Sequence, residues 1–299
     1  MNVVIILSML TFGIPLFVVI GLLRQVDKSI TGWMYKAATT TLTISVVYMI
    51  GPWGYLSYYL RYLILVILVI SLIISYYNFC NGKSATSKTR RSKTWFRICS
   101  LIILTTLNIW IITGRMTFRK PLELEFPLKN GTYYILQGGN GGLNNFFHSF
   151  KPELRYALDI VKLNQYGNRA DGLRPEKLDD YYIYNELVYS PCDGMIIEVI
   201  DGVENNTIGN GGDISSKANE IKIKSGQYEI HLVHLLKNSI LVKQGDYIQK
   251  GQILARVGNS GFTNEPHLHI HVTNVTDSTE AFPMTFNGRF LSVNNVFKN

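Results

Sequence analysis

The chain has 299 residues and a formal net charge of +8, a length with room for two domains. Its charge is uneven: residues 1–114 hold ten Lys/Arg and one acid, Asp27, whereas residues 115–299 hold nineteen Lys/Arg and twenty Asp/Glu. A nucleic-acid binder carries its basic excess on the folded domain, and the later part of this chain is near neutral, which excludes nucleic acid as the partner.

Four uncharged stretches, 1–23, 37–60, 62–82 and 98–114, dominate the first part. Each approaches the roughly 17–25 apolar residues that cross about 30 Å of hydrocarbon, so a region of four transmembrane helices is expected over 1–114, with the lipid bilayer as its partner. The first stretch lacks a basic n-region and an A-x-A-like cleavage site, and reads as a retained helix rather than a signal peptide. Trp53, Tyr55, Tyr58 and Tyr59, and then Trp95 and Phe96, have the composition of interfacial aromatic belts. The first loop carries Arg24, Lys28 and Lys36, and the third Lys83, Lys88, Arg90, Arg91, Lys93 and Arg97, while the second holds only Arg61. The positive-inside rule then puts loops one and three in the cytoplasm and the remainder, 115–299, outside it. No ionisable residue interrupts the spans, so they read as an anchor. Whether they meet a membrane partner protein is left open.

From about Leu122 the texture changes to short β-prone runs (133–137, 156–163, 194–200, 220–223, 228–234, 266–273) separated by Gly-, Asn- and Asp-rich turns. This spacing predicts an antiparallel all-β domain over 115–299, with one weak, polar helix over 175–185. Of the three cysteines, Cys80, Cys99 and Cys192, only the last lies here, so no disulfide can staple the domain.

All six histidines follow residue 114, and three of them fall within five positions, in His267-Leu-His269-Ile-His271. Alternation along a strand places these imidazoles on one face with neighbours roughly 6–7 Å apart, while Leu268 and Ile270 turn to the buried side. One histidine can then hold a metal while another reaches water or substrate. A solvated, His-rich strand face is the plainer alternative. The helical H-E-x-x-H pattern is absent.

The segments Tyr228-Glu-Ile-His-Leu-Val-His234-Leu235, Val242-Lys-Gln-Gly-Asp246, Lys250-Gly-Gln-Ile253, Gly258-Asn-Ser-Gly261 and Pro266-His-Leu-His-Ile-His271 follow one another in this order. Upstream of them stands Val188-Tyr-Ser-Pro-Cys-Asp-Gly194. Together they resemble the M23 peptidases (lysostaphin and LytM type), over about 122–283. The resemblance implies one Zn²⁺ per chain, with His269 a ligand and His234 and His267 catalytic without binding the metal. The family's other ligands come as H-x-x-x-D on one strand. Here Arg155-Tyr-Ala-Leu-Asp159 keeps the aspartate but holds arginine in the histidine's place, and a guanidinium cannot bind a cation. A variant branch carries a histidine ahead of an R-Y-A-x-D strand, so His148, in Asn144-Asn-Phe-Phe-His148, is expected to replace it. His231, three residues before His234, should lie on the opposite strand face, in a structural role or as support behind the ligands, and His271 either flanks the site or points into the groove.

Two histidines and an aspartate leave one position of a tetrahedral zinc open for water, whose pKa zinc lowers from about 15.7 toward about 7. His267 would take that water's proton and His234 would steady the oxyanion. The expected activity is that of a zinc metalloendopeptidase. Such an enzyme would be anchored in the bacterial plasma membrane by several passes, with its domain extracytoplasmic, and would cleave peptidoglycan peptide. The alternative is a catalytically inactive M23-like domain that binds wall peptide or a partner protein. A biotinyl- or lipoyl-type hairpin carrier shares the Gly-Asp/Gly-Gln texture but lacks the modifiable lysine and leaves the histidines unexplained.

Overall fold

The computed structural model describes residues 3–24, 29–82, 91–213 and 215–299. Of the basic loop residues, Lys28, Lys83, Lys88 and Arg90 lie outside the described residues. Two compact units result, Met1–Thr113 and Gly114–Asn299.

The first unit consists of α1 (Val3–Leu23), α2 (Ile30–Ile50), the single turn α3 (Trp53–Leu56), α4 (Leu60–Asn81) and α5 (Arg91–Thr113). Among the described residues, three stretches, Ile6–Leu23, Leu60–Asn81 and Thr94–Thr113, are long and apolar enough to cross a membrane. The expected stretch 37–60 is not one of them. Its helix starts earlier, at a Ser29 N-cap whose hydroxyl accepts from the Gly32 amide, and stops at Ile50. Gly51-Pro52 follows, and proline can neither donate to nor fit inside the helical ladder.

Helix α2 carries Lys36 and the threonines Thr31, Thr39, Thr40, Thr41 and Thr43, and it packs against α1, α4 and α5. Lys36 Nζ donates to the Gly21 carbonyl (2.7 Å), Thr40 to that of Val18 (3.3 Å), and Trp33 Nε1 to Ser75 Oγ (3.1 Å). Asn108 Nδ2 of α5 donates to the Leu42 carbonyl (3.1 Å). Lys36 and Arg61 are therefore helical rather than loop residues. Arg61 is buried in the first turn of α4, its guanidinium 4.0 Å from the centre of the Tyr48 ring.

The second unit is β-rich. Its strands are β1 (Leu122–Leu124), β2 (Thr132–Gln137), β3 (Leu158–Leu163), β4 (Leu187–Tyr189), β5 (Gly194–Ile200), β6 (Glu220–Ser225) and β7 (Tyr228–Val233). They continue with β8 (Tyr247–Ile248), β9 (Ile253–Arg256), β10 (Leu268–Asn274), β11 (Met284–Phe286), β12 (Arg289–Phe290) and β13 (Val296–Lys298). Eight form one antiparallel sheet in the order β13-β2-β3-β10-β7-β6-β5-β8, and β4 pairs with β9. In the small sheet β1-β11-β12 the β1/β11 pair is parallel, a departure from the wholly antiparallel expectation. The helix expected over 175–185 is a single 3₁₀ turn, Leu178–Asp180, whose stretch carries too few apolar positions to bury a helical face.

Strand alternation sorts the large sheet into two faces. Leu158, Ile160, Ile221, Ile223, Ile230, Leu232, Leu268, Ile270 and Val272 are essentially sealed from solvent in one core, each contributing about 1.5–3 kcal/mol by leaving water. The opposite face carries Asp159, Glu220, Lys222, His231, His269 and His271. The register that puts Lys222 opposite His231 is set at the β6–β7 hairpin, where Ser225 pairs with Tyr228. Its two-residue loop opens with Gly226 at φ +60°, a conformation that glycine adopts without a Cβ clash.

Candidate metal centre

β10 lies between β3 and β7, and its register puts His269 directly opposite Asp159 on one side and Val233 on the other. Directly opposed residues in an antiparallel pair project from the same face with Cβ atoms about 4.5–5.5 Å apart. The Asp159/His269 pairing therefore comes from strand register alone. His269 Nδ1 lies 2.9 Å from Asp159 Oδ1.

His148 arrives from outside the sheet, on the 3₁₀ turn Phe146–His148 between β2 and β3. Its Nε2 is 3.4 Å from the same Asp159 oxygen, and the donor atoms of His148, Asp159 and His269 all lie within 4.8 Å of one another. Asn145 orients this ring. The Asn145 Nδ2 donates to the carbonyls of Arg155 (3.1 Å) and Ala157 (3.0 Å), so its Oδ1 is the atom turned toward His148 Nδ1 at 2.8 Å. An amide oxygen only accepts, hence Nδ1 carries the proton and Nε2 presents a lone pair to the carboxylate. Nothing in the local pattern of Asn144-Asn-Phe-Phe-His148 marks Asn145 for this task, since its partners are carbonyls ten and twelve residues away.

Burial pushes the His148 imidazole down to about 4, against the pull of Asp159. Burial alone would raise Asp159, but the imidazoles of His148 and His267 outweigh it and hold the carboxyl well below the usual carboxylate range. At neutral pH a neutral imidazole lone pair and a carboxylate thus confront each other in a buried pocket, two acceptors that a cation between them would satisfy. Zinc bonds of about 2.0–2.1 Å at tetrahedral angles place ligand atoms roughly 3.3 Å apart, close to the 3.4 Å between His148 Nε2 and Asp159 Oδ1. Two imidazoles and one carboxylate also suit zinc chemically. The residues present fit the metal.

His267 immediately precedes β10, and its Nε2 stands 3.4 Å from Asp159 Oδ1. Its Nδ1 donates to the Glu265 carbonyl (2.9 Å). Burial lowers this imidazole, yet the adjacent Asp159 charge outweighs that and leaves it raised overall. Glu265 is itself clamped by the buried Arg169, whose Nε and Nη2 reach its two carboxylate oxygens at 2.9 and 2.6 Å.

His234 follows β7 with φ +65°, a left-handed conformation that costs an ordinary residue about 1–2 kcal/mol. That turn swings its ring to within 4.7 Å of His267 and 5.8 Å of His269, centre to centre. The Gly258 amide donates to the His234 carbonyl (3.0 Å), and a Cβ at Gly258 would meet the Leu236 backbone at 2.6 Å, so only glycine closes the turn here. Burial, reinforced by His267 and His269, pushes His234 well below its ordinary value. Its Nδ1 donates to the Ser260 carbonyl (2.8 Å). The ring therefore offers Nε2 to the site, an acceptor when neutral and the donor an oxyanion needs only once protonated.

The expected opposition of His231 and His234 is not observed. The left-handed residue ends the alternation, and His231 stays on the histidine face as the direct cross-strand partner of His271. Arg155 precedes β3 instead of lying on it. Its side chain is exposed, and its Nε donates to Asn140 Oδ1 at 2.9 Å.

No curated protein matches this chain. Among solved structures it is similar to a zinc-containing peptidase from Vibrio cholerae, at 20% identity over 54% of this chain and 38% of that one, TM-score 0.33. It is also similar to lysostaphin from Staphylococcus simulans, at 20% identity over 50% of this chain and 46% of that one, TM-score 0.31. With that protein's catalytic domain it shares 21% identity over 36% of this chain and 80% of the domain, TM-score 0.26. The chain thus spans less than half the length of the first two. A family model matches as well, and its limits, residues 180–281, enclose β4–β10 with His231, His234, His267, His269 and His271, but neither His148 nor Asp159. Residues 180–281 of this chain thus match the model of Peptidase family M23.

Proposed function

We propose that this chain is a membrane-anchored, zinc-dependent endopeptidase that hydrolyses peptide bonds of peptidoglycan outside the cytoplasm of a bacterial cell. The observation that carries the reading is the convergence of His148 Nε2 and Asp159 Oδ1, which lie upstream of the segment that matches Peptidase family M23, on His269 Nδ1 within that segment. These three would hold one zinc, which when bound lowers the pKa of water toward about 7 and polarises a carbonyl. His267, its Nδ1 committed to the Glu265 carbonyl, takes the proton of the attacking water at Nε2. His234, its Nδ1 committed to the Ser260 carbonyl, meets the oxyanion or the leaving amine from Nε2 once it holds a proton. Asp159 stays ionised throughout.

The anchor is read as four passes. If α2 were not a crossing, the basic residues around Arg24 and those around Arg97 would fall on opposite sides of the membrane, against the positive-inside bias. Counting α2 puts them on one side. Thr40 and Lys36 of α2 bond to carbonyls of α1, as polar side chains do inside membrane bundles.

The test is elemental analysis of the full-length chain purified without added metal, paired with digestion of purified peptidoglycan. One zinc per chain with release of soluble wall peptides supports the reading. A zinc-free chain that binds peptidoglycan without cleaving it replaces the enzyme with a wall-binding module.

A further inference from the structure

Behind the three converging donors lies a second pair of imidazoles, His271 and His231, both buried. His271 is two residues beyond His269 on the same face of β10. Its Nδ1 lies 2.9 Å from His269 Nε2, with ring centres 5.1 Å apart. Across the strand pair, the His231 ring lies flat on His271, centres 4.0 Å apart and planes 16° from parallel. His231 is held at both nitrogens: Nδ1 is 2.6 Å from Glu220 Oε1, and Nε2 is 3.1 Å from Glu229 Oε1 and 3.3 Å from Thr273 Oγ1.

A neutral histidine that turns Nδ1 toward a metal carries its proton on Nε2 and must donate it elsewhere. Metal-binding histidines commonly give this proton to a carboxylate, a backbone carbonyl or water. For His269 the acceptor at hydrogen-bonding distance is the Nδ1 lone pair of another imidazole. Donation to that atom requires His271 to carry its own proton on Nε2. The flat stack on His231, itself pinned between two carboxylates, sets the plane in which the His271 lone pair lies.

We propose that His271 is a positioning residue for the metal centre: it accepts the Nε2–H of His269, and its stack on His231 fixes the ring so that His269 Nδ1 faces Asp159 and His148. The inference rests on the reading of these three residues as the zinc site. It makes His271 an outer partner of the metal, and His231 the support behind that partner.

The test compares full-length wild type, His271→Leu and His271→Gln in detergent. Zinc content is measured by elemental analysis, zinc affinity by competition with a chromophoric chelator, and ligand geometry by the visible spectrum of the cobalt-substituted protein. Leucine fills the space without an acceptor, whereas glutamine can present an amide oxygen to His269. The expected result is one zinc per chain in all three proteins, with affinity about 10–100-fold weaker in His271→Leu and a shifted cobalt spectrum. His271→Gln should recover most of the affinity and the wild-type spectrum. Unchanged affinity in His271→Leu on a zinc-loaded background overturns this inference alone. Equal weakening in the leucine and glutamine variants reduces His271 to packing and likewise overturns it, and loss of stoichiometry in both makes it a ligand instead. A wild type that takes up no zinc removes the metalloenzyme reading together with this one.

Discussion

Replacing His148 with alanine separates a metal site built from a loop and two strands from a cluster that merely looks like one. A closed four-ligand zinc site is worth roughly 10–16 kcal/mol at neutral pH, about 2.5–4 kcal/mol per ligand. At about 1.4 kcal/mol per factor of ten, losing one ligand weakens zinc binding by roughly 10²–10³-fold. The loss should lie at the upper end, because His148 reaches the site already neutral and oriented: burial holds its imidazole near 4, and Asn145 fixes its tautomer. The same substitution strands the Asn145 oxygen. An unsatisfied buried acceptor costs about 1–3 kcal/mol, which in a unit of this size lowers the melting temperature by several degrees with or without zinc. Chelator competition on the full-length protein, run below that melting range, isolates the metal effect. Arg155→Ala is the matched control, since that side chain is exposed and bonded to Asn140, and it should keep wild-type affinity. Wild-type affinity in His148→Ala, or a loss as large in Arg155→Ala, would refute the assignment of His148 as a ligand.

Three further outcomes are expected. His267→Ala should keep one zinc per chain while abolishing peptidoglycan hydrolysis, whereas His269→Ala should lose the zinc as well, and elemental analysis of the two variants distinguishes proton transfer from ligation. A reporter fused after Asn299 should be active only outside the cytoplasm and one inserted near Thr89 only within it, and the reverse pattern would remove α2 as a crossing and the wall as substrate. Burial lowers the His231 imidazole, but Glu220 and Glu229 outweigh it and raise it overall. The stability this group contributes is therefore complete below about 6.5, its unfolded value, and is lost as pH climbs through the higher folded value. Thermal melts of wild type and His231→Gln should differ most at mildly acidic pH and converge at alkaline pH, and a gap that instead widens with pH would contradict the ion pairing.

The parts of this protein legible in its residues are those governed by neighbours in sequence. The period of two in Leu268-His269-Ile270-His271 separates a sealed face from a polar one because successive strand residues point to opposite sides, and the turn residues between runs mark out the strands for the same local reason. Long apolar runs likewise announce α1, α4 and α5. Reading failed where a single residue overrode the run. Pro52 cuts off what looked like one span through residue 60, and Ser29 starts α2 before the charge of Lys36, which the helix absorbs by bonding to the Gly21 carbonyl.

The candidate site divides along the same line. Strand register brings Asp159 opposite His269 across 110 positions of sequence, and no spacing rule reaches that far. Asn145 orients His148 through carbonyls on the far side of its own loop. The left-handed turn at His234 undoes the alternation that would have put His231 and His234 on opposite faces. Composition and periodicity determined which residue types are available and which face each strand presents, because those are one-dimensional properties. The tertiary fold alone decided which imidazoles meet the one carboxylate, because convergence depends on strand order, register and loop closure, none of which is encoded within a single stretch of chain.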